Sequence, residues 1–173
     1  MKMKFLTGAA VMLAAVFAAA NDARVAAIEF KSEMFKLRYG AVLETLDNVK
    51  VLKLVSKSDK GHPQGIVTLN LDPKVENYEL SYYVKTENIV SGKSDLYGAD
   101  IVLRPAKGGA LRFSSVGSYK CDIGTMDWKK VTYKINVKRY LKEQPITVTL
   151  RIAYAPGTAW YKDVKLTPIL PKK

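Results

Sequence analysis

An alternation of apolar and polar residues that repeats along most of the chain constrains the fold more than any other feature. From Glu29 onward the alternation has a period of two, and turn residues interrupt it about every ten residues. In the segment 78–89, for example, Leu80, Tyr82 and Val84 fall on one face, with polar or amphipathic residues between them. The segments with this pattern are 49–55, 66–71, 78–89, 99–105, 111–121, 128–137, 146–154 and 158–169. They predict an all-β fold.

Strands that each bury one face need a second sheet to cover that face, so the sequence predicts a sandwich of two antiparallel sheets. Sandwiches of this kind are commonly jelly rolls. One segment, EMFKLRYGAVLETL at 33–46, is the only stretch in which a helix competes with strand. We find no internal repeat and no linker.

The N-terminal segment 1–20 has the pattern of a secretory signal peptide. Lys2 and Lys4 precede an uncharged apolar run, and three alanines end it before Asn21. A membrane-spanning helix needs about 20 continuous apolar residues, and this run is shorter. We therefore expect a secreted or periplasmic protein with one domain over residues 21–173, without a membrane span.

The formal net charge is +12, and loss of Lys2 and Lys4 would leave +10. The basic residues are scattered, and no block of five or six like charges occurs. Two interpretations stay open: an affinity for something anionic, such as an acidic polysaccharide, a cell envelope or a nucleic acid, and a solvated surface that keeps an exported protein soluble.

Several kinds of catalytic site are excluded by composition. His62 is the only histidine and Cys121 the only cysteine, which leaves too few ligands for a zinc site and no conventional catalytic triad. The chain has no glycine-rich phosphate loop and no nucleophile elbow. Paired carboxylates remain, but most acidic residues fall in turns, where solvation explains them. We expect no enzymatic activity.

Three stretches in the second half of the chain resemble one known group of domains. They are YELSYYVKTENI (78–89), TMDWKKVTYKINV (125–137) and TVTLRIAYAPGTAWYKDVKL (147–166). In order and spacing they are similar to the jelly-roll carbohydrate-binding modules that accompany bacterial glycanases, in families four, nine and twenty-two. The resemblance implies a galactose-binding-domain-like β-sandwich that binds carbohydrate. It also implies that Trp128 and Trp160 are structural residues, and we expect both in the core.

The last of these stretches departs from the family at one place. Where these modules usually carry an Asp-Asp pair that helps to hold a structural calcium, this chain has Lys162-Asp163. Calcium prefers six to eight oxygen ligands, so a lysine here argues against the metal, and we expect no cofactor. By period two, Trp160, Lys162, Val164 and Leu166 would share a face. Either the Lys162 ammonium replaces the metal and pairs with Glu29 or Glu33, or a bulge turns Lys162 out to solvent.

Sugar-binding sandwiches use aromatic side chains as stacking platforms and planar polar groups as hydrogen-bond partners. On the outward positions of the central strands, Tyr83 is the only aromatic residue, and Arg104 and Arg151 supply guanidinium groups that can grip a carboxylate or sulfate. The predicted ligand-binding residues are Tyr83, Lys85, Arg104 and Arg151 on one face, with Tyr97 and Tyr119 as a rim.

The sequence thus predicts a secreted, non-catalytic carbohydrate-binding protein, with acidic polysaccharide favoured by the positive charge. A polysaccharide or other glycan is the expected partner, nucleic acid is not expected, and a monomer is the expected state. Two other functions remain open: a structural or adaptor protein of the cell envelope that uses the same sandwich to bind protein, and a small hydrolase.

Overall fold

A computed structural model describes residues 25–91 and 94–171 of the 173-residue chain, so the predicted signal peptide at 1–20 lies outside the described residues. The described chain forms twelve strands in two six-stranded sheets with antiparallel pairing. The predicted all-β sandwich is therefore confirmed. No helix in the described ranges is long and apolar enough to cross a membrane.

Sheet A has the strand order β10-β6-β12-β4-β3, and β1 pairs with the far half of β12. Its central strand, β12, pairs along its whole length with β6. The strands are β1 (Ile28–Glu29), β3 (Ala41–Leu46), β4 (Val49–Ser56), β6 (Asn77–Ile89), β10 (Gly124–Asn136) and β12 (Gly157–Pro168).

Sheet B has the strand order β2-β5-β11-β7-β8-β9. The long strands β11 and β7 lie in its middle and pair through eight consecutive positions. The strands are β2 (Lys36–Arg38), β5 (Gln64–Leu69), β7 (Gly98–Pro105), β8 (Leu111–Ser114), β9 (Gly117–Ser118) and β11 (Ile146–Ala153).

The core lies between the two sheets and is built by the inward positions that the alternation predicts. Leu80, Tyr82 and Val84 of β6 are buried against the inward residues of sheet B. On β11 the inward side chains Leu150 and Ile152 are fully buried, and Arg151 between them faces out. Burial of one face of each sheet is the principal source of stability in a sandwich of this kind.

The segment 33–46 is not helical beyond a single turn. A 3-10 helix covers Ser32–Met34, and a second one, Lys138–Tyr140, follows β10. The chain then forms β2 and β3, separated by a tight turn in which Tyr39 and Gly40 both have positive φ, 55° and 93°. Positive φ at two consecutive residues ends any helix, and it reverses the chain from sheet B into sheet A.

A β-bulge in β12 decides which side chains of the C-terminal strand face the core. Lys162 pairs with Tyr83 and Lys165 pairs with Ser81, so two residues of β12 lie opposite one residue of β6. Asp163, with φ of 52°, is the first residue of the bulge. Tyr161 before the bulge and Val164 after it are both buried.

The extra residue reverses the phase of the alternation, so the expectation that Trp160, Lys162, Val164 and Leu166 share a face is wrong. Val164 and Leu166 face the core, whereas Trp160 and Lys162 pair with outward residues of β6. Of the two interpretations of Lys162, the structure shows the bulge.

Candidate functional sites on the two outer faces

The predicted ligand-binding residues lie on two opposite faces of the sandwich. Tyr83 and Lys85 are on β6 in sheet A, whereas Arg104 and Arg151 are on β7 and β11 in sheet B. The expectation that all four share one face is wrong, because period-two alternation says which residues point outward but not to which sheet a strand belongs. Their role as ligand contacts stays a prediction.

The outer face of sheet B carries rows of polar side chains across its strands. Residues directly opposite each other on antiparallel strands point to the same side, so the pairing fixes the rows. Arg151 lies between Gln64 on one side and Asp100 on the other. The rows are Arg38-Gln64-Arg151-Asp100, then Lys36-Ile66-Thr149-Val102-Arg112, then Thr68-Thr147-Arg104.

Asp100 holds two of these arginines in place. Arg151 donates to its carboxylate through Nε at 2.8 Å and Nη2 at 3.3 Å, and Arg112 donates through Nε at 2.6 Å. The Asp100 side chain is 0% exposed, and the two guanidinium groups cover it. Arg112 also donates to the Leu96 carbonyl at 2.8 Å. Both guanidinium planes are therefore fixed before any ligand arrives.

Three aromatic rings from three different loops meet at one end of this face. His62 and Tyr154 are in edge contact, with ring centroids 3.9 Å apart, and Tyr154 and Tyr97 are 5.1 Å apart. They meet because β11 ends where β5 and β7 begin. We call His62, Tyr97 and Tyr154 the aromatic group. Burial, followed by the charge of Arg151, lowers the pKa of His62, so its imidazole is neutral at physiological pH.

Sequence reasoning found Tyr97 but missed His62 and Tyr154. His62 is in the turn before β5, outside the alternating segments, and Tyr154 is the last residue of the segment 146–154, where alternation does not show which loops lie beside it. Tyr119 lies just beyond β9 and is 53% exposed, without ring contact to the aromatic group. Of the two predicted rim residues, Tyr97 belongs to the aromatic group and Tyr119 does not.

The outer face of sheet B is strongly positive. It carries five cationic side chains against one carboxylate, that of the fully buried Asp100. Four of the five cations are arginines. They are Lys36, Arg38, Arg104, Arg112 and Arg151.

The outer face of sheet A carries both tryptophans of the chain, and the expectation that both are core residues is wrong. Trp160 is 8% exposed but points away from the core, where its Nε1 donates to Glu44 Oε1 at 2.7 Å. Lys53 lies 5.5 Å from the centre of its ring and pairs with Glu44 at 3.1 Å. Trp128 is half-buried on β10.

Lys162 lies between Trp128 and Tyr83 rather than beside a carboxylate. Its Nζ is 4.3 Å from the Trp128 ring centre and 5.7 Å from that of Tyr83. Within the described residues it forms no ion pair, so the suggested pairing with Glu29 or Glu33 is not found. The ammonium is held by the electron-rich faces of the two rings.

The expected absence of calcium stays a prediction, and the donor set does not favour the metal. In the ranges 25–91 and 94–171 no three His, Cys, Asp or Glu side chains lie together so that they could hold an ion. Asp163, which matches one acid of the family pair, is on the bulge next to Lys162. A nearby ammonium disfavours a divalent cation.

A cleft of about 610 Å³ opens beside the bulge, between β12, β4 and the segment that follows β1. β4 pairs with β12 only as far as Tyr161 and β1 pairs from Lys165 on, so a gap remains between them. Acidic and basic side chains both line the cleft. Its charged lining residues are Glu29, Lys31, Glu33, Lys50, Lys130, Lys162, Asp163 and Lys165.

Comparison with known proteins shows similarity in structure but not in sequence. No family model matches the chain, and no curated protein matches it. A solved structure titled "CBM4 structure and function" is similar over 76% of this chain and 79% of its own, with 13% identity and a TM-score of 0.51. The CBM22-1 xylan-binding domain of Paenibacillus barcinonensis Xyn10C is similar over 82% and 90%, with 12% identity and a TM-score of 0.51.

An exo-beta-agarase structure is similar over 80% of this chain but only 23% of its own, with 11% identity and a TM-score of 0.55. At such identities the likeness shows the fold alone. The chain has the β-sandwich fold of the carbohydrate-binding modules, and the predicted resemblance to this fold is confirmed.

Proposed function

We propose that the protein is a non-catalytic carbohydrate-binding module that binds glycan on the outer face of sheet B. The observation that carries the proposal is the aromatic group beside guanidinium groups that Asp100 already holds in place. The fold supports it, because solved structures described as carbohydrate-binding modules share this sandwich. The predicted signal peptide adds export to the proposal.

The aromatic group supplies the apolar contact that sugar recognition needs. Tyr154 is 46% exposed, and its ring is held by edge contact with His62, whose ring centroid is 3.9 Å away. The C–H faces of a sugar ring pack on such a surface, and an ordered ring loses little conformational entropy on binding.

The adjoining rows of the face supply polar groups for sugar hydroxyl and carboxylate groups. Thr149 and Gln64 flank Arg151, and all three are partly exposed. Five cations against one buried carboxylate favour a ligand that carries negative charge. Planar guanidinium groups suit carboxylates in particular, so we propose acidic polysaccharides such as those built from uronic acids.

Titration calorimetry with neutral and acidic oligosaccharides, chosen from a glycan array, tests the proposal. We expect Tyr154→Ala to weaken binding about tenfold, and Tyr154→Phe to keep most of it, because the ring provides the contact. Arg38→Ala should weaken binding of acidic glycans by about tenfold at low salt and less at high salt. Arg139→Ala, which removes the same charge at the opposite end of the sandwich, is the matched control.

Absence of binding across neutral and acidic glycans would refute the proposal. So would binding that all of these variants leave unchanged. Release of reducing sugar would indicate a hydrolase instead.

A separate observation favours the second candidate, a structural or adaptor protein that binds protein. Several large apolar side chains are more than half exposed in the loops at the end of the sandwich where the aromatic group lies. Apolar side chains exposed together at one end of a domain favour a protein interface there. They are Tyr39, Val90, Val116, Tyr119 and Ile123. Capture of an envelope protein that Val116→Asp and Ile123→Asp abolish, with no glycan binding, would support this candidate.

A further inference from the structure

We propose a second ligand site, on the outer face of sheet A, in which Lys130, Lys162 and Lys165 bind a sulfate or phosphate ester group. This second site goes beyond the proposed function and does not depend on it, because the site lies on the opposite side of the sandwich from the aromatic group. We call these three lysines, together with Tyr83 and Ser81, the lysine site.

The pairing of three strands brings these groups together. Tyr83 lies between Lys130 on β10 and Lys162 on β12, and two residues along β6, Ser81 lies opposite Lys165. Opposed side chains in adjacent antiparallel strands lie about 5 Å apart at Cβ. The three lysines are therefore neighbours on the outer face of sheet A, and together with Tyr83 and Ser81 they line one cleft.

The three lysines form no ion pair, although Glu29 lies opposite Lys165 in the pairing of β1 with β12. On the same face Lys53 pairs with Glu44 at 3.1 Å and Lys85 pairs with Asp127 at 3.3 Å. The lysine-site ammonium groups form no ion pair with any carboxylate of the described residues. Like charges placed together without a partner destabilise the free protein, and a bound anion relieves this repulsion.

Two features favour a ligand at this site. Ser81 is 3% exposed and its Oγ has no hydrogen-bond partner, although it faces the lysines. A buried hydroxyl without a partner is costly, and a ligand oxygen would satisfy it. The Lys162 ammonium is held above Trp128 at 4.3 Å, so a long side chain that is normally mobile has a defined place.

The adjoining cleft of about 610 Å³ provides room for the group that carries the ester. This volume lies within the range of clefts that hold small ligands, roughly 300–1,000 Å³. Glu29, Glu33 and Asp163 also line it, and carboxylates accept hydrogen bonds from hydroxyl groups. A sugar ring that bears a sulfate or phosphate fits both the lysine site and the adjoining cleft. Its ester group would lie at the lysines and its hydroxyl groups toward the carboxylates.

The choice of cation indicates a tetrahedral anion. The cations on the outer face of sheet B are mainly arginines, whereas all those of the lysine site and its cleft are lysines. A guanidinium group is planar and matches a carboxylate, but an ammonium is a point charge that accommodates any arrangement of oxygens. Three point charges around one pocket suit the spread charge of a sulfate or phosphate group.

Tryptophan fluorescence tests this site selectively, because both tryptophans of the chain lie on the outer face of sheet A. The probes are glucose 6-phosphate, glucose 6-sulfate and glucose. We expect both esters to produce a saturable change, because the ester binds to the Lys162 ammonium that lies over the Trp128 ring and so changes the charge beside that ring. Glucose should produce none. The tighter of the two esters identifies whether the natural anion is a phosphate or a sulfate.

Two variants and a control make the result specific. Lys162→Met and Lys165→Met remove one charge each and keep the length of the side chain, and each should weaken ester binding roughly tenfold. Lys134→Met, on the same face of β10 but outside the site, should not change it. Calorimetry should give the same order of affinities.

The proposal is overturned if calorimetry detects no ester binding, if glucose binds as well as its esters, or if neither lysine variant weakens binding. Its failure is distinguishable from failure of the proposed function, because Tyr154→Ala and Arg38→Ala act on glycan binding at sheet B and leave the lysine site intact. Conversely, loss of ester binding in Lys162→Met should leave glycan binding by sheet B unchanged.

Discussion

Substitution of the buried Asp100 tests two properties of the outer face of sheet B together: its effect on stability and its role in glycan binding. Asp100→Asn keeps the shape of the side chain but removes its charge. The carboxylate accepts hydrogen bonds at 2.6, 2.8 and 3.3 Å from two guanidinium groups, and the amide would turn a donor toward one of them. Both arginines would lose their counterion.

Breaking a buried ion pair by removing one partner costs about 3–5 kcal/mol. The Arg112 and Arg151 side chains are 15% and 18% exposed, so water relieves part of the unpaired charge. We therefore expect Asp100→Asn to lower the free energy of unfolding by about 3 kcal/mol and Tm by roughly 6–12 °C. Thermal unfolding followed by circular dichroism, with urea unfolding beside it, measures both.

The matched control removes all three charges at once. Replacing Asp100 with Leu and both arginines with Met leaves no unpaired group, so this triple variant should be within about 1 kcal/mol of the native protein. Glycan binding should nevertheless be lost, because the fixed guanidinium groups are gone. A cost below about 1 kcal/mol for Asp100→Asn, or a stable triple variant that still binds glycan, would refute the reasoning.

Three further predictions concern other parts of the sandwich. Burial raises the pKa of Asp122, so the folded protein holds this proton more tightly than the unfolded chain, and stability should fall as pH rises from about 4 through the raised pKa. The Tm of Asp122→Asn, measured across this pH range, should not fall in this way. Tm profiles that run parallel for the variant and the native protein would contradict the prediction. Gly157→Ala should lower the free energy of unfolding, measured in urea, by about 2 kcal/mol or more. The reason is that φ is 134° and the new Cβ would lie 2.6 Å from the Ile89 Cα. The control is Gly109→Ala, which has open space around it and should cost under about 1 kcal/mol. Burial above all raises the pKa of Cys121 to about 12, so its thiol should react with iodoacetamide at pH 8 only after unfolding, and mass spectrometry showing rapid labelling of the native protein would contradict this.

The fold was predictable because the signal is local and repeated. Alternation over β6, β7 and β11 places the core residues correctly, since each strand buries one face. The bulge at Asp163 could not be predicted in this way. Lys162 interrupts the apolar pattern and so signals an irregularity, but the local sequence does not decide between a bulge and a paired ammonium, because that depends on the pairing of β12 with β6.

The candidate sites were harder to predict, because each one combines residues that are distant in sequence. His62, Tyr97 and Tyr154 meet only because three strand ends share one end of sheet B. No periodicity carries that information. Arg151 and Tyr83 were both correctly placed as outward residues, but which sheet each outward residue belongs to is a property of strand order, and strand order depends on long-range pairing.

The single bulge at Asp163 explains two results together, the outward position of Trp160 and that of Lys162. Val164 and Leu166 had to be in the core because they are apolar, and period two then assigned Trp160 and Lys162 to the core with them. The inserted residue allows both requirements to be met: the aliphatic residues face inward, while Trp160 and Lys162 face outward. A strand that kept the same sequence without the bulge and buried Val164 and Leu166 would turn the Lys162 ammonium into the core with them, where an unpaired charge is strongly destabilising. Because a regular strand would bury this charge, the bulge is required for any function of the outer face of sheet A, and for the stability of the strand that carries it.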